Sequence, residues 1–171
     1  MSAPLVVLVG PPGAGKTSVG AALAALTGAP FRDVDADIEA SSGRSIPDIF
    51  TLDGEDAFRA LERAAVAAAL TEHTGILSLG GGAVLDPGTR ELLRGHRVAF
   101  LHVSMSQGVQ RTGMATNRPL LVGINPRATF KALLDARLPL YREVASIEIA
   151  TDILTVDEVA GRIAAELELA P

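Results

Sequence analysis

Short apolar runs alternate along this chain with longer segments in which apolar residues recur at helical spacing. The short runs, rich in β-branched residues, predict strands, and the longer segments predict helices. Predicted strands cover residues 5–9, 31–33, 76–79, 98–103 and 146–149. Predicted helices cover residues 16–26, 56–70, 87–93, 106–111, 126–138 and 156–167. Strands and helices that alternate with short connections predict an α/β fold, with a parallel five-stranded sheet and helices on both faces.

The helix predicted over residues 56–70 has one apolar face. Gly54 marks the start of this helix, and Gly75 follows its end. The residues that share the apolar face are Phe58, Leu61, Ala65 and Ala69. We therefore expect these side chains to be buried.

Two segments depart from the alternation of strands and helices. Residues 35–59 are polar and punctuated by glycine, with Pro47 and Gly54 limiting long helices, and residues 112–125 are likewise irregular. Irregular stretches of this length in a compact domain are usually binding segments or lids. Because each loop is short, the acceptor site that they could build suits a small molecule better than a protein or a nucleic acid.

The chain shows no repeat and no linker-like stretch, so we expect a single domain over residues 1–171. Its expected core comprises residues 1–33, 76–111 and 126–171. An acceptor-binding segment at about 34–60 and a lid at about 112–125 are expected to interrupt that core.

Composition narrows the classes of function. Apolar residues make up 48% of the chain, but none of their runs approaches the roughly 18 residues that a membrane span needs. The first four residues are too short for a signal peptide, and the absence of cysteine excludes disulfides and fits a cytoplasmic protein. The net charge of −5, without a cluster of Lys and Arg, argues against nucleic-acid binding.

The most informative motif is the run Gly-Pro-Pro-Gly-Ala-Gly-Lys-Thr at residues 10–17, which matches the P-loop pattern G-x-x-x-x-G-K-[ST]. It stands between a predicted strand and a predicted helix, as a phosphate-binding loop should. Lys16 would reach the β- and γ-phosphates of a nucleotide, and the Thr17 hydroxyl would bind Mg²⁺. The residues expected to contact ATP here are Gly13, Ala14, Gly15, Lys16, Thr17 and Ser18.

Carboxylates after the second strand are candidates for the metal and the acceptor. Asp33 is the best metal carboxylate, acting through water, although an Asp at this place can equally be a helix or turn cap. Asp35 is then expected to face the acceptor hydroxyl, where it could accept the proton or orient the oxygen. Spacing alone does not rank Asp35 above Asp37.

A glycine triplet and three arginines are candidates for an anionic acceptor site. Gly80–Gly82 follow a predicted buried strand and would let the backbone approach a ligand closely. Arg59, Arg118 and Arg137 could each clamp an anion, because a guanidinium pairs two N–H donors with a carboxylate or a phosphate. Arg118 precedes Pro119 in the predicted lid, which could bring it onto the transferring phosphoryl group.

Together these features resemble the shikimate kinase family, most closely its actinobacterial members, over roughly residues 5 to 150. The segments that carry the resemblance are residues 10–17, 33–35, 43–50, 54–55, 58–59, Glu62, 77–84, 118–121 and 137–141. The resemblance implies a P-loop kinase fold and ATP-dependent phosphorylation of the 3-hydroxyl of shikimate. The products would be shikimate 3-phosphate and ADP, in the biosynthesis of aromatic amino acids.

The resemblance also implies roles at the acceptor end. Asp35 would bind shikimate hydroxyls and act as the base. Arg59 and Arg137 would hold the shikimate carboxylate. Gly81 would contact shikimate through its backbone, while Gly80 and Gly82 shape that surface.

At the donor end, the resemblance implies that Lys16 and Thr17 serve phosphate and Mg²⁺, with Asp33 serving the metal through water. Arg118 would be the lid arginine that approaches both the acceptor and the γ-phosphate, and Arg111 would stack on adenine. Members of the family usually carry a proline in the adenine loop, but residues 151–156 read Thr-Asp-Ile-Leu-Thr-Val. A monomer is expected, with shikimate and ATP as its partners and Mg²⁺ as its cofactor.

Three other functions remain open from the sequence. A kinase for another small hydroxy acid, such as gluconate, would share the P-loop and the sheet but would have less use for the Arg59, glycine and Arg137 site. A GTPase is disfavoured because the chain has no Asn-Lys-x-Asp motif. A retired kinase that only binds a nucleotide or a partner would have no physical need for Lys16, Asp33, Asp35 and Arg118 together.

Overall fold

Five parallel strands form one sheet, as predicted. The computed structural model describes residues 3–103 and 126–169, apart from the side chains of residues 126–130. The strands are β1 Val6–Val9, β2 Phe31–Asp33, β3 Ile76–Ser78, β4 Val98–His102 and β5 Ile147–Ala150. Their order in the sheet is β2-β3-β1-β4-β5, and each strand lies within one residue of its predicted bounds.

Helices cover both faces of the sheet. They are α1 Lys16–Thr27, α2 Val34–Ser42, α3 Ile46–Asp53, α4 Glu55–Glu72, α5 Pro87–Leu92, α6 Pro126–Val144 and α7 Val156–Glu166. A single turn of 3₁₀-helix, Ala83–Leu85, precedes α5. None of the helices in the described part of the chain is long and apolar enough to cross a membrane.

The central strand β1 divides the core in two. Successive side chains of a strand point to opposite faces, so Val6 and Leu8 pack on the side of α1 and α7. Val7 and Val9 pack on the opposite side, with α4 and α6. All four residues of β1 are buried, as expected for a parallel strand that is covered on both faces. The two cores fix the strand ends that carry the functional residues.

The segment of residues 35–59 is not the irregular loop that the sequence predicts. It forms α2, α3 and the first turn of α4, so that prediction is wrong. Gly43 ends α2 in the left-handed conformation, and the Ser45 hydroxyl caps α3 by accepting from the Asp48 N–H at 3.2 Å. Pro47 lies in the first turn of α3, where a missing N–H costs nothing. The glycine and the proline thus delimit short helices instead of preventing them.

The buried face of α4 differs from the predicted one. Phe58 and Ala69 are buried as expected, but Leu61 is 41% exposed. Glu62, one position further along, is only 1% exposed. Gly54 caps the start of α4 as predicted, whereas the helix ends with His73 as its cap and not at residue 70. At this turn of α4 the buried side chain is therefore the acid Glu62, and not Leu61 as the apolar pattern predicts.

Helix α6 is six residues longer than the sequence predicts. The sequence predicts an end at residue 138, yet the helix continues through Pro139 to Val144. A proline inside a helix removes one hydrogen bond. Burial of Tyr141, with no exposed surface, favours the continuation. Arg137 and Tyr141 therefore lie one turn apart on the same helix.

The predicted helix at residues 106–111 and the predicted lid at residues 112–125 lie outside the described residues. Arg111 and Arg118 lie outside them too. The division of the chain into a core, an acceptor-binding segment and a lid stays a prediction.

Candidate active site

A cavity of about 450 Å³ opens at the carboxyl ends of β1, β2 and β3. This is the edge of a parallel sheet at which ligands bind in open α/β folds. Predicted site residues that line the cavity are Gly13, Ala14, Gly15, Lys16, Thr17, Ser18, Asp33, Asp35, Gly80 and Gly81. The structure thus brings the P-loop, both candidate carboxylates and part of the glycine triplet into one cavity.

The P-loop backbone depends on glycine at two places. At Gly10, φ is +154° and a β-carbon would lie 2.5 Å from the carbonyl oxygen of Leu101. At Gly15, φ is +92° and the residue caps α1 without a side-chain acceptor. The first N–H groups of α1 are therefore not satisfied by a cap and can serve an anion, which the helix dipole also favours.

Lys16 lies across the P-loop. Its Nζ donates to the carbonyl oxygens of Gly10 at 2.7 Å and Pro11 at 3.1 Å. These contacts hold the ammonium over the loop that would cradle the phosphates. Thr17, the next residue, lines the same cavity.

The three carboxylates after β2, those of Asp33, Asp35 and Asp37, make different contacts. Asp33 ends the strand and caps α2, accepting from the N–H of Asp35 at 2.9 Å. Asp35 lies in the first turn of α2 and lines the cavity, as does Asp33. Asp37 instead forms an ion pair with Arg32 at 2.6 Å. The structure therefore favours Asp35 over Asp37 as the carboxylate that faces a ligand.

Thr17 and Asp33 offer oxygen ligands of the kind that Mg²⁺ prefers. An ionised carboxylate has about four acceptor positions, so the cap hydrogen bond of Asp33 does not prevent it from serving a metal-bound water. No group of three or more Asp, Glu or His residues in residues 3–103 and 126–169 could hold a metal by itself. Thr17 and Asp33 therefore fit a Mg²⁺ ion that is also bound by the nucleotide.

Each glycine of Gly80–Gly82 is required for space. A β-carbon there would come closer than 3.0 Å to a side chain in every case: Asp35 at Gly80, Pro12 at Gly81 and Arg59 at Gly82. None of the three has the positive φ that favours glycine. The triplet therefore lets the acidic helix α2, the P-loop and an arginine of α4 meet at the end of β3.

Arg59 is largely buried on α4. Its Nη1 donates to Oε1 of Glu62 at 2.7 Å, and its Nη2 lies 3.3 Å from Oε2 of Glu55. The guanidinium also lies 5.7 Å from the ring centroid of Phe50 and 5.2 Å from that of Phe58. Aromatic rings and carboxylates together hold the guanidinium in one place.

Glu62 is the buried counter-ion of Arg59. Burial, with a smaller contribution from the nearby Asp35, raises the pKa of its carboxyl to about 7 against the opposing effect of Arg59. Its Oε2 is buried and has no hydrogen-bond partner among the described residues. The sequence assigned Glu62 no role, although an acid three residues after an arginine on a predicted helix was a signal for an ion pair.

Arg137 and Tyr141 complete the acceptor end from α6. Arg137 is 2% exposed, and its Nη2 has no hydrogen-bond partner in the part of the chain that is described. The Tyr141 hydroxyl donates to the carbonyl oxygen of Gly81, and its ring stacks on Phe100 at 4.8 Å. Burial raises the pKa of Tyr141 to about 12. The sequence assigned Tyr141 no role either.

Gly80 and Gly81 are part of the described lining of the cavity. Arg59, Gly82 and Arg137 are not part of it. The two arginines nevertheless belong to one charged cluster, since both interact with Glu62. We call Asp35, Arg59, Glu62, Arg137 and Tyr141 the acceptor cluster.

The expected adenine loop reaches the other end of the cavity. Thr151, Leu154 and Val156 line it there. The Thr151 N–H donates to the carbonyl oxygen of His102 at 2.9 Å, which ties the loop to the end of β4. Leu154 and Val156 make this part of the surface mainly apolar. Residues 151–156 contain no proline, although members of the family usually have one in the adenine loop.

Comparison with known proteins agrees with this architecture. The sequence profile of the shikimate kinase family matches residues 12–168. A shikimate kinase of Saccharopolyspora erythraea is 60% identical over 160 residues, covering 94% of this chain and 91% of that protein. One of Thermobifida fusca is 52% identical over 169 residues, covering 99% and 98%.

A solved structure is similar along almost the whole chain. It is the shikimate kinase of Acinetobacter baumannii in complex with shikimate, with a TM-score of 0.92 and 38% identity. The match covers 98% of this chain and 94% of that one. The profile match and the identities over most of both chains place this protein in the shikimate kinase family, as its motifs predict.

Proposed function

We propose that this protein transfers the γ-phosphoryl group of ATP to the 3-hydroxyl of shikimate, forming shikimate 3-phosphate and ADP. The observation that carries the proposal is the pair of buried arginines, Arg59 and Arg137, beside a P-loop cavity that also contains Asp35. Arg137 has a buried Nη2 donor that pairs with no described residue, and buried donors of this kind are costly unless a ligand satisfies them. A small carboxylate such as shikimate would satisfy it.

At the donor end, the P-loop and the first turn of α1 would hold the phosphates of ATP. Lys16 would stabilise the charge on the β- and γ-phosphates. We infer that Thr17 and Asp33 hold Mg²⁺ together with the phosphate oxygens, Asp33 through water. When bound, Mg²⁺ would neutralise charge on the transferring group.

At the acceptor end, Arg59 and Arg137 would hold the carboxylate, while Gly81 contacts the acceptor through its backbone. Asp35 would then orient the reacting hydroxyl and accept its proton. The hydroxyl oxygen forms a bond to the γ-phosphorus as the bond from that phosphorus to the β,γ-bridging oxygen breaks, and ADP leaves. Arg118 as the lid arginine and Arg111 as the adenine contact rest on the resemblance to the family.

The proposed site is built by residues of one chain, so we propose that a monomer suffices. ATP is abundant in the cytoplasm, so we also propose that the reaction takes place there. The small cavity and the net charge of −5 fit small-molecule substrates.

The test of the substrate is ADP release by the purified protein with ATP and Mg²⁺. We expect release that depends on shikimate and not on gluconate. Release with gluconate alone would favour a kinase for another hydroxy acid. Release with neither, while nucleotide still binds, would favour a retired kinase and overturn the proposal.

A substitution of Asp35 tests the acceptor chemistry. We expect Asp35→Asn to lower kcat by about 10³-fold or more, within the range for loss of a general base, because an amide cannot take the hydroxyl proton. ATP affinity, measured by calorimetry, should stay within about twofold, because the P-loop is unchanged. Shikimate-dependent turnover near the wild-type rate would remove Asp35 from this role.

A further inference from the structure

Glu62 is an unusual member of the acceptor cluster because it is an acid in an enclosed place. It is 1% exposed, and only one of its two oxygens, Oε1, makes a hydrogen bond, to Arg59. Its other oxygen, Oε2, is buried without a partner among the described residues. An unmatched buried acceptor on an ionised group is costly, whereas a protonated oxygen would become a donor.

Burial and neighbouring charges act on the ionisation of Glu62 in opposite directions. Arg59 on its own helix and Arg137 on α6 favour the ionised carboxylate, while Asp35 on α2 disfavours it. Tyr141 on α6 also interacts with Glu62. A β-carbon on Gly80 would lie 3.1 Å from Oε2 of Glu62 and 2.7 Å from Oδ1 of Asp35. The two carboxyl groups therefore approach each other on the same side of that glycine.

An acceptor carboxylate that binds to Arg59 and Arg137 would change the electrostatic surroundings of Glu62. It adds a negative charge beside Glu62 and shares the two cations that now stabilise the ionised form. It also keeps water away from the Glu62 side chain, which is already buried. Each change favours a proton on Glu62.

We propose that Glu62 takes up a proton, at Oε2, when the acceptor's carboxylate binds between Arg59 and Arg137. The proton comes from solvent and needs no other reactant. Protonated Oε2 then faces Asp35 as a donor. Glu62 is in this view a positioning residue that couples acceptor affinity to pH, an inference that rests on the proposed function.

The direction of the pH effect follows from linkage. The pKa of Glu62 is raised to about 7 in the free protein, and binding raises it further. A complex that holds more protons than its free components becomes weaker as pH rises. Shikimate affinity should therefore be constant well below pH 7 and fall above it, by at most about tenfold per pH unit, until pH exceeds the pKa in the complex.

The experiment is calorimetric titration of the protein with shikimate, without nucleotide, at pH 8 in HEPES and in Tris, which have different ionisation enthalpies. We expect the heats to differ between the two buffers by an amount that corresponds to net uptake of part of a proton per shikimate. Heats that agree between buffers, with binding present, would overturn the inference. Absence of binding in either buffer would instead contradict the proposed function.

Two variants assign the proton. Glu62→Gln keeps the size of the side chain but cannot take up a proton, so its heats should agree between buffers and its shikimate affinity should not change between pH 7 and pH 8.5. Glu55→Gln is the matched control, since Glu55 contacts the same guanidinium but its side chain is 47% exposed. This control should retain the uptake.

Uptake that persists in Glu62→Gln would show that another group takes the proton and would overturn the assignment. Circular dichroism checks that this variant is folded. If it does not fold, the buffer dependence and the pH dependence of the wild-type protein still decide whether binding is coupled to a proton.

Discussion

The donor and acceptor ends of the cavity are built in opposite ways. At the donor end, residues 10–17 form one contiguous stretch, and the groups that we propose to bind phosphate are mostly backbone N–H groups before and within the first turn of α1. At the acceptor end, the groups are side chains of α2, α4 and α6, which are far apart in sequence. The first end uses glycine and a helix dipole, and the second uses buried charges.

This difference affects how each end responds to substitution. A backbone site tolerates changes around it as long as the loop keeps its shape. A buried charge cluster is coupled, because the loss of one charge leaves its partner without compensation. We therefore expect donor-end substitutions to change turnover or ATP binding without changing shikimate affinity, and acceptor-end substitutions to change shikimate parameters with little effect on ATP binding.

Apart from Asp35→Asn, the largest effect should come from Lys16, whose ammonium contacts the P-loop carbonyls of Gly10 and Pro11. We expect Lys16→Ala to lower kcat by about 10³-fold, because charge that develops on the phosphates loses its ammonium. Shikimate binding without nucleotide should be unchanged in calorimetry. A parallel loss of shikimate affinity would show that the two ends are not separate.

Arg137 gives the matching test at the acceptor end. We expect Arg137→Met to raise the KM for shikimate by about 10²-fold, corresponding to about 2–5 kcal/mol for truncating one partner of a buried charge pair. The KM for ATP should change by less than about twofold. Arg142→Met is the control, because Arg142 lies on the same helix but is 54% exposed and pairs with Glu148. Equal effects of the two substitutions would mean that α6, and not the guanidinium, is responsible.

The same contrast explains what the sequence could predict. The sheet and the P-loop were predictable because each depends on a local pattern, an apolar run or a run of eight residues. Asp35 could be proposed but not ranked above Asp37, since the difference depends on the ion pair between Asp37 and Arg32. That pair forms only once β2 and α2 are in place.

The acceptor cluster was harder to predict for physical reasons. A polar residue on a buried helix face breaks the apolar pattern, so the predicted apolar face included Leu61 and not Glu62. The burial of Glu62 depends on Arg59, one turn earlier on α4, and on Arg137 of the separate helix α6. Similarly, the helix predicted to end at residue 138 continues through Pro139 to Val144, because packing of Tyr141 favours the continuation. Sequence patterns describe one element at a time, whereas these residues depend on contacts between elements.

Gly82 tests whether space for Arg59 is what the glycine triplet supplies. A β-carbon on Gly82 would come closer than 3.0 Å to the Arg59 guanidinium, while its φ of −102° is ordinary. We expect Gly82→Ala to raise the KM for shikimate roughly tenfold, because overpacking costs about 1–3 kcal/mol. The KM for ATP should stay the same.

Gly161→Ala is the matched control for Gly82→Ala. Gly161 lies inside α7 with no atom within 4 Å of the added carbon. The substitution should stabilise the protein by about 0.5–1 kcal/mol, and thermal unfolding should show a Tm about 2 °C higher. A similar rise in the KM for shikimate in both variants would contradict a local effect of Gly82.

The smallest effect is expected at Tyr141, the member of the acceptor cluster that contacts the backbone of Gly81. Tyr141→Phe removes the hydroxyl that donates to the Gly81 carbonyl but keeps the ring stacked on Phe100. We expect the KM for shikimate to rise roughly fivefold, in line with about 1 kcal/mol for one hydrogen bond. An unchanged KM would show that Gly81 is held without Tyr141, and an equal rise in the KM for ATP would show that Tyr141 supports both ends.

Tyr141 can also be observed directly, because it is the single tyrosine of a chain without tryptophan. Its pKa is raised to about 12 by burial, so ultraviolet absorbance should show no phenolate at pH 10 in the folded protein. In denaturant the same tyrosine should titrate near its ordinary pKa of about 10. Phenolate formation near pH 10 without unfolding would mean that water reaches the hydroxyl. In that case the acceptor end would lack the closed, coupled character that distinguishes it from the donor end.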